Sequence, residues 1–289
     1  MQKTMTRLLS GLCAVIIGAV LVTGCPQPIT EEPADTIKLA YVNWAEGVAV
    51  THLVTVLLED MGYNVEATMA DVGPIYLAVA EGDQDIMIET WLPVTHEAYY
   101  EQYGDRVELI STWFDTARIG LVVPAYVDID SIEEMNEHQE KFGGMITGID
   151  AGAGIMSTTE RAIEEYGLDF ALLESSDPAM VAALQGAVEN DDWIVVTGWA
   201  PHWKFARFDI KFLDDPKGIY GATELIHAAA RLGFSEEYPE VTELFRRMEF
   251  DDEQIGTLMA VMEDAVGTEE RAARQWIRDN QELVDSWLP

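Results

Sequence analysis

The two halves of this chain carry the same arrangement of strand, loop and tryptophan. Trp44 follows a β-rich segment and lies 47 residues before Trp91, which follows another. In the second half, Gly152 follows a strand-like segment and lies 47 residues before Trp199. Matched spacings of this kind predict two similar α/β lobes, each built from alternating strands and helices. Because open α/β sheets bind ligands at the carboxyl ends of their strands, these loops are candidate binding loops.

Apolar periodicity predicts the elements of the first lobe. Strands at 37–41, 63–69 and 86–90 alternate with helices at 48–61 and 73–80. This β-α-β-α-β order predicts a parallel sheet with right-handed crossovers.

The pattern then restarts in the second half of the chain. Strands are predicted at 144–150, 193–197 and 210–213, with helices at 154–166 and 178–190. Two further strands connect the lobes, and the tail forms three amphipathic helices that pack on the first lobe; these segments are 118–123, 224–231 and 237–287. We therefore expect lobe 1 to comprise 36–122 plus 225–289, and lobe 2 to comprise 123–224.

The N-terminal segment predicts export and lipid attachment. Lys3 and Arg7 precede a nearly unbroken apolar run, which ends in a small-residue box before Cys25. This pattern is typical of a lipoprotein signal peptide (1–24) that is cleaved before an acylated cysteine. The alternative is a transmembrane anchor, but the run is shorter than the ~20 apolar residues that a spanning helix needs. Residues 25–35 are then the lipidated cysteine and a short tether, anchored outside the cell membrane.

Cysteine content and charge exclude several classes of function. The chain has two cysteines, and the prediction assigns Cys13 to the signal peptide and Cys25 to the lipid. The mature domain would therefore have no thiol nucleophile and no disulfide. The formal net charge is −35, and removing Lys3 and Arg7 with the signal peptide makes it −37. Such a surface repels nucleic acid and suggests a saline environment, although an ordinary acidic extracellular protein is the alternative.

Three tryptophans are candidates for a cation cage. Trp44, Trp91 and Trp199 lie at matching points of the two lobes, where each follows a strand. Any one of them alone would more often be a core residue, but their repetition favours a shared site. Aromatic faces attract cations that cannot donate hydrogen bonds. We assign Trp203 a structural role, and the four remaining tryptophans a role in packing: Trp113, Trp193, Trp276 and Trp287.

The small residues at 150–156 end a strand and open a helix, and the free amides of the first helical turn favour an anion. The spacing is neither a dinucleotide fingerprint nor a Walker loop. A carboxylate is the expected guest, and His96 is a candidate donor to it. The five histidines lack the spacing of metal ligands, so we predict neither a metal nor a cofactor.

Four segments together resemble the glycine-betaine-binding proteins of ABC-type osmoprotectant importers. The segments are Tyr41-Val42-Asn43-Trp44, Trp91-Leu92-Pro93-Val94-Thr95-His96, Gly148-Ile149-Asp150-Ala151-Gly152-Ala153-Gly154-Ile155-Met156 and Thr197-Gly198-Trp199-Ala200-Pro201-His202-Trp203. The resemblance covers nearly all of the chain after the tether. It implies a two-lobed periplasmic-binding-protein-like fold of type II, in which each lobe is a mostly parallel sheet flanked by helices and crossing strands join the lobes.

The resemblance also implies the roles of individual residues. Trp44, Trp91 and Trp199 match the family's tryptophan cage. The backbone amides of Gly154 and Ile155 match those that hold the ligand carboxylate, and His96 matches the side chain that assists them. The implied function is an extracytoplasmic receptor that passes glycine betaine or a related betaine to the membrane subunits of an importer.

Two alternatives remain open at this stage. Glu46 lies two residues after Trp44, where a choline-binding branch of the family has an acidic residue near the cation. The chain is therefore alternatively a receptor for choline or another quaternary amine. An extracytoplasmic enzyme on the same scaffold is the second alternative, because fold does not fix function. No nucleophile–base pair in the sequence supports it, and we expect a protein that is not an enzyme.

Overall fold

The computed structural model describes residues 35–265 and 267–289. The predicted signal peptide (1–24), the predicted lipidation site at Cys25 and the tether up to residue 34 lie outside the described residues. Among the residues that are described, no helix is both long enough and apolar enough to cross a membrane.

The first half of the chain alternates strands and helices, as its apolar periodicity predicts. Its elements are β1 (Thr36–Tyr41), α1 (Ala45–Asp60), β2 (Asn64–Met69), α2 (Val72–Glu81), β3 (Ile86–Leu92) and α3 (Glu97–Tyr103). Helix α1 begins three residues before its predicted start, because the buried charge of Glu46 in its first turn interrupts the apolar pattern. The chain leaves α1 through Gly62, whose φ of +98° is readily adopted only by glycine.

One strand of 18 residues, β4 (Val107–Pro124), runs through both halves of the sheet. Its first part pairs with β9 (Glu224–Arg231), and its last seven residues face strands of the second half. The prediction of 118–123 captured only the last part, because exposed polar residues such as Asp115 interrupt the apolar run before it. Strand β9 has the bounds that were predicted for it. It lies between β3 and β4, so the chain has already returned to the part of the sheet that contains β3 before it reaches Glu224.

The second half repeats the alternation with shorter strands. Its elements are β5 (Met145–Thr147), α4 (Gly154–Tyr166), β6 (Ala171–Leu173), α5 (Asp177–Asn190), β7 (Val196–Ala200), α6 (Lys204–Arg207) and β8 (Ile210–Phe212). Helix α4 has its predicted bounds and ends at Gly167, where φ is +61°. Strand β5 is shorter than predicted, and β6 was not predicted, because the two strands share only three paired positions. Three residues are too few to produce a periodic signal.

The prediction for β7 was wrong by three residues. The strand was predicted at 193–197, ending before Gly198. In the structure Gly198 lies within β7 and opposite Gly120 of β4. A Cβ atom at Gly198 would stand 2.4 Å from Cγ2 of Val122, so glycine permits the close approach of the two strands. Trp199 therefore lies on β7 rather than after it.

Strand pairing reproduces the sequence repeat. Within the described residues, nine strands form one sheet in the order β2-β1-β3-β9-β4-β7-β5-β6, with β8 paired to β4. The trio β2-β1-β3 and the trio β6-β5-β7 are each parallel, and the antiparallel pairs around β4 join them. We call the parts built on these trios the first and second halves of the sheet. The predicted α/β fold with joining strands is confirmed, while the lobe boundaries 36–122 plus 225–289 and 123–224 stay a prediction.

The tail packs on the first half of the sheet, as predicted, but it contains more helices than the three predicted. After α7 (Phe234–Glu237), the described residues form α8 (Pro239–Arg247), α9 (Asp252–Glu263), α10 (Glu269–Asp279) and α11 (Gln281–Trp287). The helical path is interrupted between α10 and α11 at Asn280, whose backbone is not helical. Arg274 of α10 donates hydrogen bonds to Glu59 and Asp60 at the end of α1, and Phe250 packs edge-on against Trp113 of β4.

Candidate functional site

A small cavity lies where loops of the two halves of the sheet meet. It contains about 280 Å³ of space between the atoms, part of which is open to solvent. Its walls are mostly apolar, and the lining residues come from both halves: Trp44, Glu46, Trp91, Thr95, Ile119, Ile149, Ala153, Gly154, Ile155 and Trp199. Five of the six predicted binding residues are therefore brought together around one cavity, which we call the cage cavity.

The three predicted cage tryptophans all line the cage cavity and are all buried. Trp44 follows β1 and is the N-cap of α1, whereas Trp91 and Trp199 are the penultimate residues of β3 and β7. The ring centroids of Trp44 and Trp199 are 6.5 Å apart, with an angle of 58° between the ring planes. Tilted faces of this kind leave a concave aromatic wall, which is the surface that a diffuse cation prefers.

The start of helix α4 supplies the polar end of the cage cavity. Gly154 and Ile155 are the first two residues of α4, and Ala153 before them provides no side-chain cap. The amides of a first helical turn have no partner within the helix, so they are available to an anion. A Cβ atom at Gly154 would stand 1.7 Å from the backbone oxygen of Thr95. Glycine is therefore required for the observed approach of α4 to the loop after β3.

His96 lies beside the cage cavity with one ring nitrogen unpartnered. Its Nδ1 accepts a hydrogen bond from the amide of Trp91 at 3.2 Å and lies 3.3 Å from the hydroxyl of Tyr76. Because Nδ1 accepts, Nε2 carries the proton, and this atom has no partner among the described residues. Burial lowers the pKa of His96 to about 3, so the imidazole is neutral. The ring is 6.0 Å from that of Trp44, which places an unused donor next to the cage.

Glu46, which was considered only as a marker of choline binding, also lines the cage cavity. Its side chain is fully buried, and its Oε2 accepts a hydrogen bond of 2.9 Å from the indole nitrogen of Trp199. Its other oxygen, Oε1, has no partner among the described residues. Burial raises the pKa of Glu46 to about 7, although the hydrogen bond from Trp199 opposes this shift. The cavity thus has a titratable acid in its wall.

Two reciprocal hydrogen bonds hold the halves together at the cage. Trp44 of the first half donates to Asp150 of the second at 3.4 Å, and Trp199 of the second half donates to Glu46 of the first at 2.9 Å. The hydroxyl of Tyr99 also reaches the carbonyl oxygen of Gly152 at 2.8 Å. Because each partner of these pairs belongs to a different half, the pairs form only when the halves are close.

A buried carboxylate, Asp177 at the start of α5, adds a further link between the halves. Its Oδ2 accepts from the amide of Ala45 at 3.2 Å, and its Oδ1 lies 3.1 Å from Nε2 of His202. Burial alone would raise the pKa of Asp177, but the neighbouring His202 and Lys204 hold it below its ordinary value. Sequence reasoning missed this role, because an aspartate after Ser176 at a helix start has the pattern of an ordinary helix cap.

The loop after β3 is fixed by the neighbouring strand β9. The carboxylate of Glu224, the first residue of β9, accepts hydrogen bonds from the amides of Val94 and Thr95 at 2.8 Å each, and from the hydroxyl of Thr95. Glu224 is fully buried, so these three donors satisfy a carboxylate that would otherwise be costly to bury. The loop that carries Thr95 and His96 is therefore held rigidly against the cage cavity.

Comparison with known proteins identifies the family. Residues 35–279 match the family described as the substrate binding domain of ABC-type glycine betaine transport systems. The glycine betaine/carnitine transport binding protein GbuC of Listeria monocytogenes is 44% identical over 151 residues. That match covers 51% of this chain and 50% of GbuC, so the chain matches about half the length of this relative.

Solved structures show the same fold over most of the chain. The lactococcal OpuAC in its closed-liganded conformation with glycine betaine is 35% identical, with a TM-score of 0.83 over 88% of this chain and 100% of its own. An ABC-transporter choline-binding protein in complex with choline is 26% identical, with a TM-score of 0.80 over 87% of this chain and 91% of its own. Since the family match extends over most of its length, the chain belongs to the substrate-binding domains of ABC-type glycine betaine transport systems.

Proposed function

We propose that this chain binds glycine betaine in the cage cavity and delivers it to the membrane subunits of an ABC importer. The observation that carries the proposal is the junction of three tryptophans with the free amides of Gly154 and Ile155 around one small cavity. A trimethylammonium group has no N–H, so aromatic faces recognise it better than hydrogen bonds do. The carboxylate at the other end of glycine betaine requires donors, which the start of α4 and Nε2 of His96 supply.

Family membership makes the chain an extracytoplasmic substrate-binding protein, in a family of transport proteins rather than of enzymes. We further propose that Cys25 carries the lipid that attaches the protein to the cell membrane. The signal-peptide pattern before Cys25 supports this proposal. Adaptation of the acidic surface to salt also stays a prediction.

Choline is the second candidate ligand, and one observation favours it. Glu46 lines the cage cavity with a buried oxygen that has no partner within the described part of the chain. An ionised carboxylate at this point would attract a simple cation as well as the cationic end of a zwitterion. Choline, however, has no carboxylate and leaves the donors at Gly154, Ile155 and His96 unused. We therefore expect glycine betaine to bind more tightly than choline.

Isothermal titration of the purified protein with glycine betaine and with choline tests the proposed function. Both ligands should release measurable heat, and glycine betaine should have the lower Kd. Recovery of unchanged glycine betaine after incubation would agree with a receptor, whereas conversion of the ligand would support the enzyme alternative. If neither ligand binds, the proposed function is wrong.

Replacement of His96 separates the two ligands. We expect His96→Ala to weaken the binding of glycine betaine by about tenfold, because a hydrogen bond to a charged group contributes ~1.5–3 kcal/mol. Choline should lose less affinity, since it offers no carboxylate to Nε2. His96→Gln retains a donor near the position of Nε2 and serves as the matched control. An equal loss of affinity for both ligands in His96→Ala would mean that His96 acts by holding Trp91 in place rather than by contacting the ligand.

A further inference from the structure

Lys204 is a buried lysine whose position the proposed function leaves unexplained. It is the first residue of α6 and is fully buried, and its Nζ has no hydrogen-bond partner among the described residues. The Nζ stands 3.8 Å from the ring centroid of Trp199. Lys204 does not line the cage cavity, so its ammonium reaches this tryptophan from outside the cavity. A buried charge is costly, and an aromatic face with nearby acids offsets only part of the cost.

Two acids accompany this lysine around Trp199. Glu46 of α1 binds the indole nitrogen at the edge of the ring, on the side of the cage cavity. Asp177 of α5 is also buried, and both acids attract the ammonium of Lys204. The wall formed by Trp199 therefore has negative charge at its edge and positive charge behind its face.

We propose that Lys204 sets the preference of the cage for net-neutral zwitterions over simple cations, by offsetting the negative charge of Glu46 and Asp177. The inference rests on the proposed function, because it concerns the ligands of the same cavity. The ammonium repels the trimethylammonium group of any ligand. In glycine betaine, attraction to the ligand carboxylate opposes this repulsion, whereas choline carries only the positive charge. Lys204 thus disfavours choline more than glycine betaine.

The net charge around Trp199 becomes more negative as pH rises. Burial lowers the pKa of Lys204 to about 7, although Asp177 and Glu46 oppose this shift. Burial also raises the pKa of Glu46 to about 7. As pH rises through 7, Lys204 loses positive charge and Glu46 gains negative charge, so a bound cation is increasingly favoured.

The remaining titratable groups near the wall do not reverse this direction. Asp177 stays ionised, because His202 and Lys204 hold its pKa low against the effect of burial. Burial lowers the pKa of His202 to about 4, so this ring is neutral above that pH. Glu89, next to Glu46, has its pKa raised by burial and by the charge of Glu46, and any ionisation of it at high pH adds negative charge. Burial and the charge of Asp177 raise the pKa of Glu263 against the opposing charge of Arg207, so ionisation of Glu263 with rising pH also adds negative charge.

The experiment measures the ratio of the choline Kd to the glycine betaine Kd by titration calorimetry. Lys204→Met removes the charge and keeps the length and apolar stem of the side chain. We expect it to lower this ratio by about tenfold, the size of one unit charge acting across roughly 12 Å at an effective dielectric constant of ~20. Glu46→Gln should raise the ratio, and the double variant should lie between the two single variants. Lys141→Met is the matched control, because its Nζ stacks 4.1 Å from the ring of Trp193 outside the cage cavity.

A pH series on the wild-type protein and on Lys204→Met provides a second measurement. Neither ligand titrates between about pH 5.5 and 8.5, and the ratio should fall as pH rises through the pKa values near 7. A ratio in Lys204→Met equal to that of the wild type, or a fall with pH as steep in Lys204→Met as in the wild type, overturns the role of Lys204 and leaves the proposed function intact. Absence of binding of both ligands to the wild type overturns the proposed function, and this inference with it.

Discussion

Replacement of Trp44, Trp91 or Trp199 by Ala is expected to weaken glycine betaine binding by more than tenfold in each case, about 1.4 kcal/mol or more. Each substitution removes one aromatic wall of the cage cavity. A desolvated cation–π contact is worth ~2 kcal/mol or more, so loss of one face alone accounts for the effect.

The three corresponding Phe variants should differ from one another, because the indole nitrogens differ in their partners. The nitrogen of Trp91 has no partner among the described residues, so Trp91→Phe keeps a ring and loses no hydrogen bond. Trp199→Phe leaves the buried carboxylate of Glu46 without its donor, and Trp44→Phe breaks the longer bond to Asp150. We expect Trp91→Phe to cost the least affinity and Trp199→Phe the most.

Titration calorimetry measures these affinities, and circular dichroism checks that each variant is folded. Trp203→Ala is the matched control, because Trp203 belongs to the same segment as Trp199 but does not line the cage cavity. Its affinity should remain within about threefold of the wild type, which is under 1 kcal/mol. Folded Ala variants with unchanged affinity at all three cage positions would show that the ligand binds elsewhere.

The reciprocal indole–carboxylate hydrogen bonds link formation of the cage to the closed arrangement, in which the two halves of the sheet are close together. Trp44 and Trp199 each contact the ligand space and also donate to an acid of the opposite half. The same side chains therefore form the site and hold the halves in the arrangement that completes it. A ligand that occupies the cage stabilises this arrangement, since it interacts fully only with the closed form.

Much of the fold follows from local signals in the sequence. The bounds of α4 and β9 were predicted to the residue, because apolar periodicity and a terminal glycine are local properties. Strand β6 and the break at Asn280 were missed, because a three-residue edge strand and a single non-helical residue leave little periodic signal. The register of β7 depends on the close approach of Gly198 to Val122, which is a tertiary contact.

The site residues that lie at matched spacings in the sequence could be predicted. The residues whose role depends on burial in the folded structure could not. The matched spacing identified the three tryptophans, and the small residues at 150–156 identified the start of α4. Lys204 and Asp177 have the sequence pattern of exposed residues at helix starts, yet the structure buries both. Their burial arises only when β7, α5 and α1 meet, so no local pattern reports it.

Gly154→Ala is expected to reduce glycine betaine affinity by at least about a hundredfold, or ~2.7 kcal/mol. The added Cβ atom would stand 1.7 Å from the backbone oxygen of Thr95 and 2.6 Å from its carbonyl carbon. Backbone atoms cannot move aside as a flexible side chain does, so the loop after β3 and the start of α4 must separate. This separation withdraws the amides of Gly154 and Ile155 from the ligand and prevents closure of the cage.

Because Thr95 and Gly154 lie in different halves, an arrangement with the halves apart relieves the clash. The variant should therefore stay folded, with a melting temperature close to that of the ligand-free wild type. Gly186→Ala in α5 is the matched control, since its added Cβ would meet no atom within 4 Å, and Ala in a helix interior is more stable than Gly by roughly 0.5–1 kcal/mol.

Calorimetry and solution scattering together decide the outcome for Gly154→Ala. With saturating glycine betaine, the wild type and Gly186→Ala should show a smaller radius of gyration than without ligand, because the ligand favours the closed halves. Gly154→Ala should show no such decrease at the same ligand concentration. Wild-type affinity and a normal decrease in Gly154→Ala would mean that the bound form does not use the contact between Thr95 and α4. The carboxylate site would then have to be sought away from the start of this helix.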